Sequence, residues 1–278
     1  MSASNIAQYG PAMTWVASRT TMPSSKVAWV INGSVAVVNV NRPEARNAFT
    51  WDMYAALVEA FDAAEADVNV RVLIIRGSDG AFAAGTDISQ FRGYDGDDGV
   101  AYEQRLDTFI DRLERLPFIT IAEIDGVAVG GGCAIAAACD LRICSDRARF
   151  GVPVSRTLGN CLSIGNTARL VDLIGGAATR DLLLTGRLID AREAMSRGLA
   201  SVVVPSNELE QETYKIAADL STRARSTIKA TKAILARLRD FRRPPAGSVD
   251  DILRDCYNSS EFKEGVTAFL EGRRPNWD

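Results

Sequence analysis

Two kinds of hydrophobic pattern alternate along the chain. Short, mostly apolar runs predict strands at residues 26–31, 34–41, 71–76, 118–124, 140–145 and 148–151. Between them, apolar residues recur every three or four positions and predict helices at 51–66, with Thr50 as N-cap, and at 102–116. Asn32-Gly33 predicts a hairpin turn between the first two strands. This alternation of strands and helices predicts an α/β core.

The pattern changes at three places along the chain. Residues 1–25 form a polar arm interrupted by proline. In the middle of the chain, residues 93–99 are a Gly/Asp-rich stretch that predicts a loop. From residue 206 onward the pattern is mostly helical, with helices expected at 208–238 (interrupted near 223–226), 249–257 and 261–272. We therefore divide the chain into an arm (1–25), an α/β core (26–205) and a helical region (206–278).

Composition excludes several classes of function. The 278 residues are 47% hydrophobic, carry a formal net charge of −3 and contain no histidine. A general nucleic-acid or membrane-surface binder is disfavoured by that charge, and Ser-His or Cys-His catalysis and histidine-ligated metals are ruled out. The five cysteines lack metal-site spacing, and residues 1–25 lack the features of a signal peptide. We expect a reduced, cytoplasmic protein without a metal or a membrane span.

A glycine-rich stretch at residues 126–140 carries the first chemical signal. Gly130, Gly131 and Gly132 follow an apolar strand and open a run of small helix-forming residues. Backbone N–H groups at a helix start have no helical partner, and the helix dipole favours negative charge there. The stretch is therefore either an anion-binding helix start or a glycine turn that only packs a helix closely on a sheet.

A second small-residue stretch occurs about 45 residues earlier. Ala81-Phe82-Ala83-Ala84-Gly85-Thr86-Asp87-Ile88 follows the strand at 71–76 and a Gly-Ser-Asp-Gly turn. Like the first stretch, it removes side chains from the approach to a backbone amide. Two such stretches favour a binding site that uses backbone donors.

Together the two stretches resemble the crotonase superfamily, the enoyl-CoA hydratase and isomerase relatives. The resemblance extends in the family's order from about Lys26 to the tail, through residues 41–48, 139–143, 185–187 and 264–275. It implies a spiral of ββα units with a C-terminal helical region that helps to cover coenzyme A. It also implies an acyl-CoA thioester as substrate, no other cofactor, and a homotrimer or a dimer of trimers.

The family pattern also assigns residues. The amides of Thr86 and Gly131 match the two donors that hold the thioester oxygen in relatives, and both need only backbone. The segment that cradles coenzyme A and the tail that packs on adenine and phosphate are matched by Arg46, Asn47, Ala48, Ala84, Phe269 and Arg273. The other interpretation of Arg273 is a solvated tail residue.

The chain departs from the hydratase pattern at two positions. Hydratase relatives carry one glutamate after Gly-Gly-Gly-Cys and another in Phe-Gly-x-Pro-Glu, and the pair activates water. Here those positions are Ala134 and Val154. Neither side chain can transfer a proton, and such a transfer typically contributes ~10²- to 10⁴-fold. Hydration by two glutamates is therefore not expected.

Polar residues after Val154 offer substitutes. Cys161 is a candidate nucleophile or acid and Arg156 a candidate partner for a substrate carboxylate. The alternatives are an inert buried thiol and an ion pair on the surface or at a subunit interface. Glu123 and Asp125 precede the glycine turn and could supply an acid, although buried ion pairing or a turn cap explains them better.

These features predict an acyl-CoA enzyme that stabilises a thioester enolate. A decarboxylating lyase suits the missing glutamates, because loss of CO₂ forms the enolate without a proton-abstracting base. The alternatives are a catalytically silent acyl-CoA-binding homologue and a thioester hydrolase that uses Cys161.

Overall fold

The computed structural model describes residues 20–21 and 26–277. Its strands are β1 (Thr20–Thr21), β2 (Val27–Asn32), β3 (Val35–Val40), β4 (Val72–Gly77), β5 (Ala81–Ala83), β6 (Ile119–Ile124), β7 (Val127–Val129), β8 (Leu141–Ser145), β9 (Arg149–Gly151), β10 (Ile189–Asp190) and β11 (Val202–Val204). Its α-helices are α1 (Trp51–Ala66), α2 (Gly96–Glu114), α3 (Gly131–Ala138), α4 (Val154–Thr157), α5 (Ile164–Thr185), α6 (Ala191–Ser196), α7 (Leu209–Ser221), α8 (Arg225–Arg242), α9 (Asp250–Asn258) and α10 (Ser260–Leu270).

The strands form two sheets. The larger has the order β1-β2-β3-β4-β6-β8-β11, in which β1, β2 and β3 pair antiparallel and all later neighbours pair parallel. The smaller has the order β10-β9-β7-β5, with β9, β7 and β5 parallel. Since β4, β5, β6 and β7 alternate between the sheets, the chain passes from the large sheet to the small one before α2 and again before α3.

The large sheet is buried on both faces. In β4, Leu73 and Ile75 belong to the main core with α1, α2 and α3, whereas Val72 and Ile74 belong to a second core against α7. Alternate side chains of a strand point to opposite faces, so both sets must be apolar. This explains why the strand was recognisable as an apolar run without alternation.

Several predicted boundaries differ from the structure. The stretch at 93–99 is not a loop throughout, because α2 begins at Gly96, where Asp95 caps the helix by accepting from the amides of Asp97 and Asp98. The hairpin turn is Gly33-Ser34 rather than Asn32-Gly33, since Asn32 still pairs with Val35. α8 extends to Arg242, four residues beyond the expected end, and α5 was not predicted. The predicted break near 223–226 is confirmed.

The predicted arm at 1–25 lies outside the described residues, apart from Thr20 and Thr21, which pair with β2. Within the described residues no helix is long and apolar enough to cross a membrane.

Candidate active site

Parallel pairing of β5 with β7 brings the two small-residue stretches together. Each strand leads directly into one of them, β5 into Gly85-Thr86 and β7 into Gly130-Gly131. A methyl group added at Gly131 would stand 3.5 Å from the amide nitrogen of Thr86, and one added at Gly85 would stand 3.4 Å from the amide nitrogen of Gly131. The two predicted donor amides therefore lie side by side.

Neither amide is used by the surrounding secondary structure. The bridge between Phe49 and Thr86 is made by the amides of Phe49 and Asp87, which leaves the Thr86 N–H outside it. Gly131 is the first residue of α3, where an N–H has no acceptor one turn earlier. Within the described residues neither N–H group donates a hydrogen bond to another backbone or side-chain group.

The position of α3 is held at both of its ends. At the start, Gly132 packs so closely on β5 that an added Cβ would lie 2.3 Å from the carbonyl oxygen of Ala83. At the other end, the buried guanidinium of Arg142 donates to the carbonyl oxygens of Cys139 (2.5 Å), Ala136 (3.3 Å) and Leu199. A cation at the C-terminus of a helix complements its dipole. These contacts fix where the Gly131 amide stands.

Two tyrosines border the paired amides, and the sequence did not reveal them. The hydroxyl of Tyr54, on α1, lies 2.9 Å from the Oγ1 of Thr86, which lies 2.8 Å from the hydroxyl of Tyr102, on α2. The same Tyr54 hydroxyl would be 2.9 Å from a Cβ at Gly131. Burial is the largest cause that raises the pKa of both tyrosines well above the ordinary value, so both are neutral donors at pH 7.

Ala134 and Val154 lie among apolar side chains. Ala134 borders a small cavity of about 10 Å³, together with Val152 and Leu162. A cavity of that size holds about one water molecule. Val154 begins α4 and packs on the main core. The polar residues at this cavity, Asn166 and Arg169, bond to each other at 2.7 Å, and Arg169 also pairs with Glu114.

Glu103, on α2, is a buried carboxyl group that sequence reasoning missed. It accepts hydrogen bonds from the hydroxyl of Tyr257 (2.8 Å) and from the backbone N–H of Ser163 (3.0 Å). Burial raises the pKa of Glu103 to about 8, against the lowering effect of these two bonds. The side chain of Asn160 donates to the same tyrosine hydroxyl at 3.0 Å, while its buried Oδ1 has no partner within the described residues.

The two polar substitutes proposed from the sequence lie in different surroundings. Cys161 is half-buried, and a hydrogen bond with the thiol of Cys256, together with burial, raises the pKa of Cys161 above its ordinary value. A thiol in that state is a poor nucleophile. Arg156 is exposed on α4, with its guanidinium 3.4 Å from the carbonyl oxygen of Gly186 at the end of α5.

The segment predicted to hold coenzyme A is tied to its surroundings by the side chain of Asn47. Arg46 and Asn47 both have positive φ angles, and the buried Asn47 side chain donates to the carbonyl oxygens of Ser78 (2.9 Å) and Ala81 (2.7 Å) while accepting from the Arg42 amide (2.7 Å). The carbonyl oxygen of Arg46 in turn accepts from the amide of Ala84. Asn47 therefore ties this segment to β5, and its own side chain is used in doing so, whereas the Arg46 side chain is exposed.

The predicted tail residues lie at the end of α10 and beyond it. Phe269 is 53% exposed, as a ring that packs on a ligand would be. Arg273 binds Glu264 with both terminal nitrogens and Glu271 with Nε at 2.6 Å. To bind a phosphate, Arg273 would have to exchange these carboxylates.

The acidic residues before the glycine turn are engaged elsewhere. Glu123 is buried beside Arg76 (3.8 Å), on the side of the large sheet that faces α7. Asp125 accepts from Ser145 (2.7 Å) and pairs with Arg147 (2.5 Å). These contacts match the ion-pair and turn-cap interpretations. In the described part of the chain no group of three or more cysteine or acidic side chains is arranged to hold a metal ion.

Comparison with known proteins identifies the family of the chain. The family model described as enoyl-CoA hydratase/isomerase matches residues 30–278. A crotonyl-CoA hydratase from Syntrophomonas wolfei is 35% identical over 248 residues, which are 87% of this chain and 94% of that protein. A short-chain-enoyl-CoA hydratase from Clostridium acetobutylicum is 34% identical over 244 residues, covering 87% and 93%.

Solved structures agree as well. An enoyl-CoA hydratase/carnithine racemase from Magnetospirillum magneticum has a TM-score of 0.75 at 30% identity, covering 93% of this chain and 97% of that one. A methylmalonyl-CoA decarboxylase in complex with 2-nitronate-propionyl-CoA has a TM-score of 0.84 at 26% identity, covering 91% and 98%. The predicted crotonase fold is confirmed, and the chain belongs to the enoyl-CoA hydratase/isomerase family.

Proposed function

We propose that this protein is an acyl-CoA lyase that decarboxylates a malonyl-type thioester. The observation that carries the proposal is the pair of adjacent, unused amides of Thr86 and Gly131. When the bond between Cα and the carboxylate breaks, its electron pair delocalises onto the thioester oxygen. Two fixed N–H donors stabilise that charge, and removal of one such donor typically costs about 10²–10³ in kcat. CO₂ leaves, and the enolate takes a proton from water at Cα.

The surroundings of Ala134 and Val154 support a reaction without the two glutamates. A hydratase of this family would need a carboxylate at each position to hold and activate water. Instead, Ala134 borders a cavity with Val152 and Leu162, and Val154 packs on the core. Decarboxylation needs no base for enolate formation, so neither position has to carry a carboxylate. The structural similarity to a methylmalonyl-CoA decarboxylase is consistent with this choice.

The remaining parts of the proposal follow the family. The backbone of residues 46–48, Ala84 and the tail residues Phe269 and Arg273 contact coenzyme A, which enters only as part of the substrate. The protein assembles as a homotrimer or a dimer of trimers. Nothing in the contacts of Arg156 or Cys161 gives either residue a part in the reaction.

The test is mass spectrometry of the purified protein with crotonyl-, malonyl-, methylmalonyl- and aromatic enoyl-CoA thioesters. We expect loss of CO₂ from a malonyl-type thioester at a rate above the uncatalysed one. Gain of one water on crotonyl-CoA would refute the proposal and show that another group activates water. Binding without any turnover would instead identify a silent acyl-CoA-binding homologue.

Two variants of Gly131 test the role of its amide. Gly131→Pro removes the N–H at the first position of α3, where proline suits a helix. Gly131→Ala adds the same Cβ against Tyr54 but keeps the N–H. We expect the proline variant to lose about 10²-fold more kcat than the alanine variant, with similar thermal unfolding of the two. Equal activity of the two folded variants would exclude the amide as a donor.

A further inference from the structure

The three hydroxyl groups beside the paired amides carry three hydrogen atoms but make only two hydrogen bonds with one another. Tyr54, Thr86 and Tyr102 each carry one hydroxyl hydrogen, and the three groups are joined by two hydrogen bonds. Each bond uses one hydrogen, whichever partner donates it. Within the described residues none of the three hydroxyls has any other acceptor, so one O–H remains without one.

An unused buried donor is costly unless a ligand completes it. Tyr54, Thr86 and Tyr102 are only 4%, 9% and 7% exposed, so bulk water does not readily satisfy the remaining hydrogen. Burial also raises the pKa of Tyr54 and Tyr102, which keeps the hydrogens on both phenols at pH 7. A pair of buried tyrosines with one unused O–H is suited to donating a hydrogen bond to a negatively charged oxygen.

Of the two tyrosine hydroxyls, that of Tyr54 lies nearer to the paired amides. The Tyr54 hydroxyl is the nearest atom, at 2.9 Å, to a methyl group placed at Gly131, ahead of the Thr86 Oγ1 at 3.3 Å and the Thr86 amide nitrogen at 3.5 Å. Tyr102 is not among the three nearest atoms. If Tyr102 donates to Thr86 and Thr86 donates to Tyr54, the spare hydrogen lies on Tyr54, next to both free amides.

From this arrangement we infer that the Tyr54 hydroxyl is a third donor to the thioester oxygen, beside the amides of Thr86 and Gly131. The inference rests on the proposed function, because it needs an acyl-CoA thioester in the site. Thr86 thus has two roles, one through its backbone N–H and one through a hydroxyl that orients Tyr54. Tyr102 is a positioning residue, since it acts only through Thr86.

The experiment measures the carbonyl directly and needs no turnover. Propionyl-CoA labelled with ¹³C at its carbonyl is bound to the full-length protein, and isotope-edited infrared spectroscopy records the carbonyl stretching frequency. We expect a lower frequency in the wild-type complex than in water, and a smaller lowering in Tyr54→Phe. Tyr102→Phe should have a weaker effect than Tyr54→Phe, because it leaves the Tyr54 hydroxyl in place and removes only the group that acts through Thr86.

Both substitutions keep the aromatic packing. The Tyr54 ring stacks on Phe49 at 5.0 Å between centroids, and the Tyr102 ring meets Phe91 edge-on at 4.8 Å, so phenylalanine fits each place. On the decarboxylation reaction, Tyr54→Phe should lower kcat by about 10²-fold, as loss of one oxyanion donor does.

The possible results separate the two proposals. If wild-type protein lowers the carbonyl frequency and Tyr54→Phe lowers it equally, the role of Tyr54 is refuted while the paired amides stand. If Tyr54→Phe behaves as wild type but Thr86→Val loses the shift, the donor is the Thr86 hydroxyl, and the assignment to Tyr54 is again wrong. If wild-type protein does not bind propionyl-CoA, the proposed function fails and the inference fails with it.

Discussion

Glu103 shows how burial changes the chemistry of a single residue. The carboxyl group lies between Tyr257 and the Ser163 amide, and burial raises its pKa to about 8 from an ordinary value of 4.5. The folded protein therefore binds this proton more tightly than the unfolded chain does. The resulting stabilisation is complete below pH 4.5 and is lost as the pH rises through 8.

Glu103→Gln should remove this pH dependence. Between pH 5 and pH 8 the free energy of unfolding of wild-type protein should fall by up to roughly 1.4 kcal/mol per pH unit relative to the glutamine variant, because the amide cannot ionise. Urea unfolding at several pH values measures the difference. Glu59→Gln, on the exposed face of α1, is the matched control and should run parallel to wild type. A parallel curve for Glu103→Gln would contradict the prediction.

At the scale of elements, α2 connects the candidate site to the C-terminal helices. Its residues Tyr102 and Glu103 lie one turn after Gly99, where α9 approaches so closely that an added Cβ would be 2.1 Å from the Cγ of Tyr257. Near its start, Gly96 donates to the side chain of Asn258 at 2.8 Å. The contact between α2 and α9 therefore places Tyr257 against Glu103 and depends on glycine at position 99.

Gly99→Ala should destabilise the protein although alanine favours helix. Overpacking against Tyr257 should cost about 1–3 kcal/mol. The comparison is Gly176→Ala in α5, where the nearest atom to an added Cβ is the end of the flexible Arg180 side chain, at 3.6 Å. Gly175 interrupts α5 with φ 77° and ψ 160°, so Gly176 begins the second part of the helix. The Gly176 variant should therefore not be destabilised, and its gain should stay below the roughly 0.5–1 kcal/mol that alanine gains over glycine inside a helix. Chemical denaturation measures the free energy of unfolding of both variants. Equal changes from the wild-type value would refute the packing argument.

At the scale of the whole molecule, α8 exposes an apolar face. Ile234, Leu238 and Phe241 recur at helical spacing and are 66%, 43% and 89% exposed. Exposed apolar stripes of this kind mark contact surfaces. The face is compatible with the trimeric assembly that we propose, in which α8 would be covered by another subunit.

Phe241→Lys should therefore weaken the assembly. Burying a lysine charge at a subunit contact without a partner is unfavourable, so the variant should form smaller particles than wild type at the same protein concentration. Size-exclusion chromatography with light scattering measures the mass. Val68→Lys, in the turn after α1 and 68% exposed, introduces the same charge elsewhere and should leave the mass unchanged. A monomeric wild-type protein would contradict the proposed assembly.

Elements set by nearby residues were predictable from the chain alone. Six strands follow from apolar runs, namely β2, β3, β4, β6, β8 and β9, whereas β5, β7, β10 and β11 were not predicted. Helix α1 follows from its helical spacing, and the two small-residue stretches follow from consecutive glycines and alanines after a strand. The start of α2 was missed because its first turn is polar and contains two glycines. Asp95 stabilises that turn as a cap, and Tyr257, far along the chain, packs against Gly99.

The α/β class and the two small-residue stretches follow from local residue order, because turns, strand runs and helix starts depend on neighbours in the chain. The crotonase fold and the assignment of the two candidate donor amides came instead from the resemblance of those stretches to a known family. Tyr54, Tyr102 and Glu103 could not be recognised from the sequence, since each resembles an ordinary member of an amphipathic helix. Their hydroxyl and carboxyl groups acquire a chemical role only from partners on other elements: Thr86 for the two tyrosines, and Ser163 and Tyr257 for Glu103. Such pairings exist only once distant segments have packed together and excluded water, which is also what shifts their pKa values.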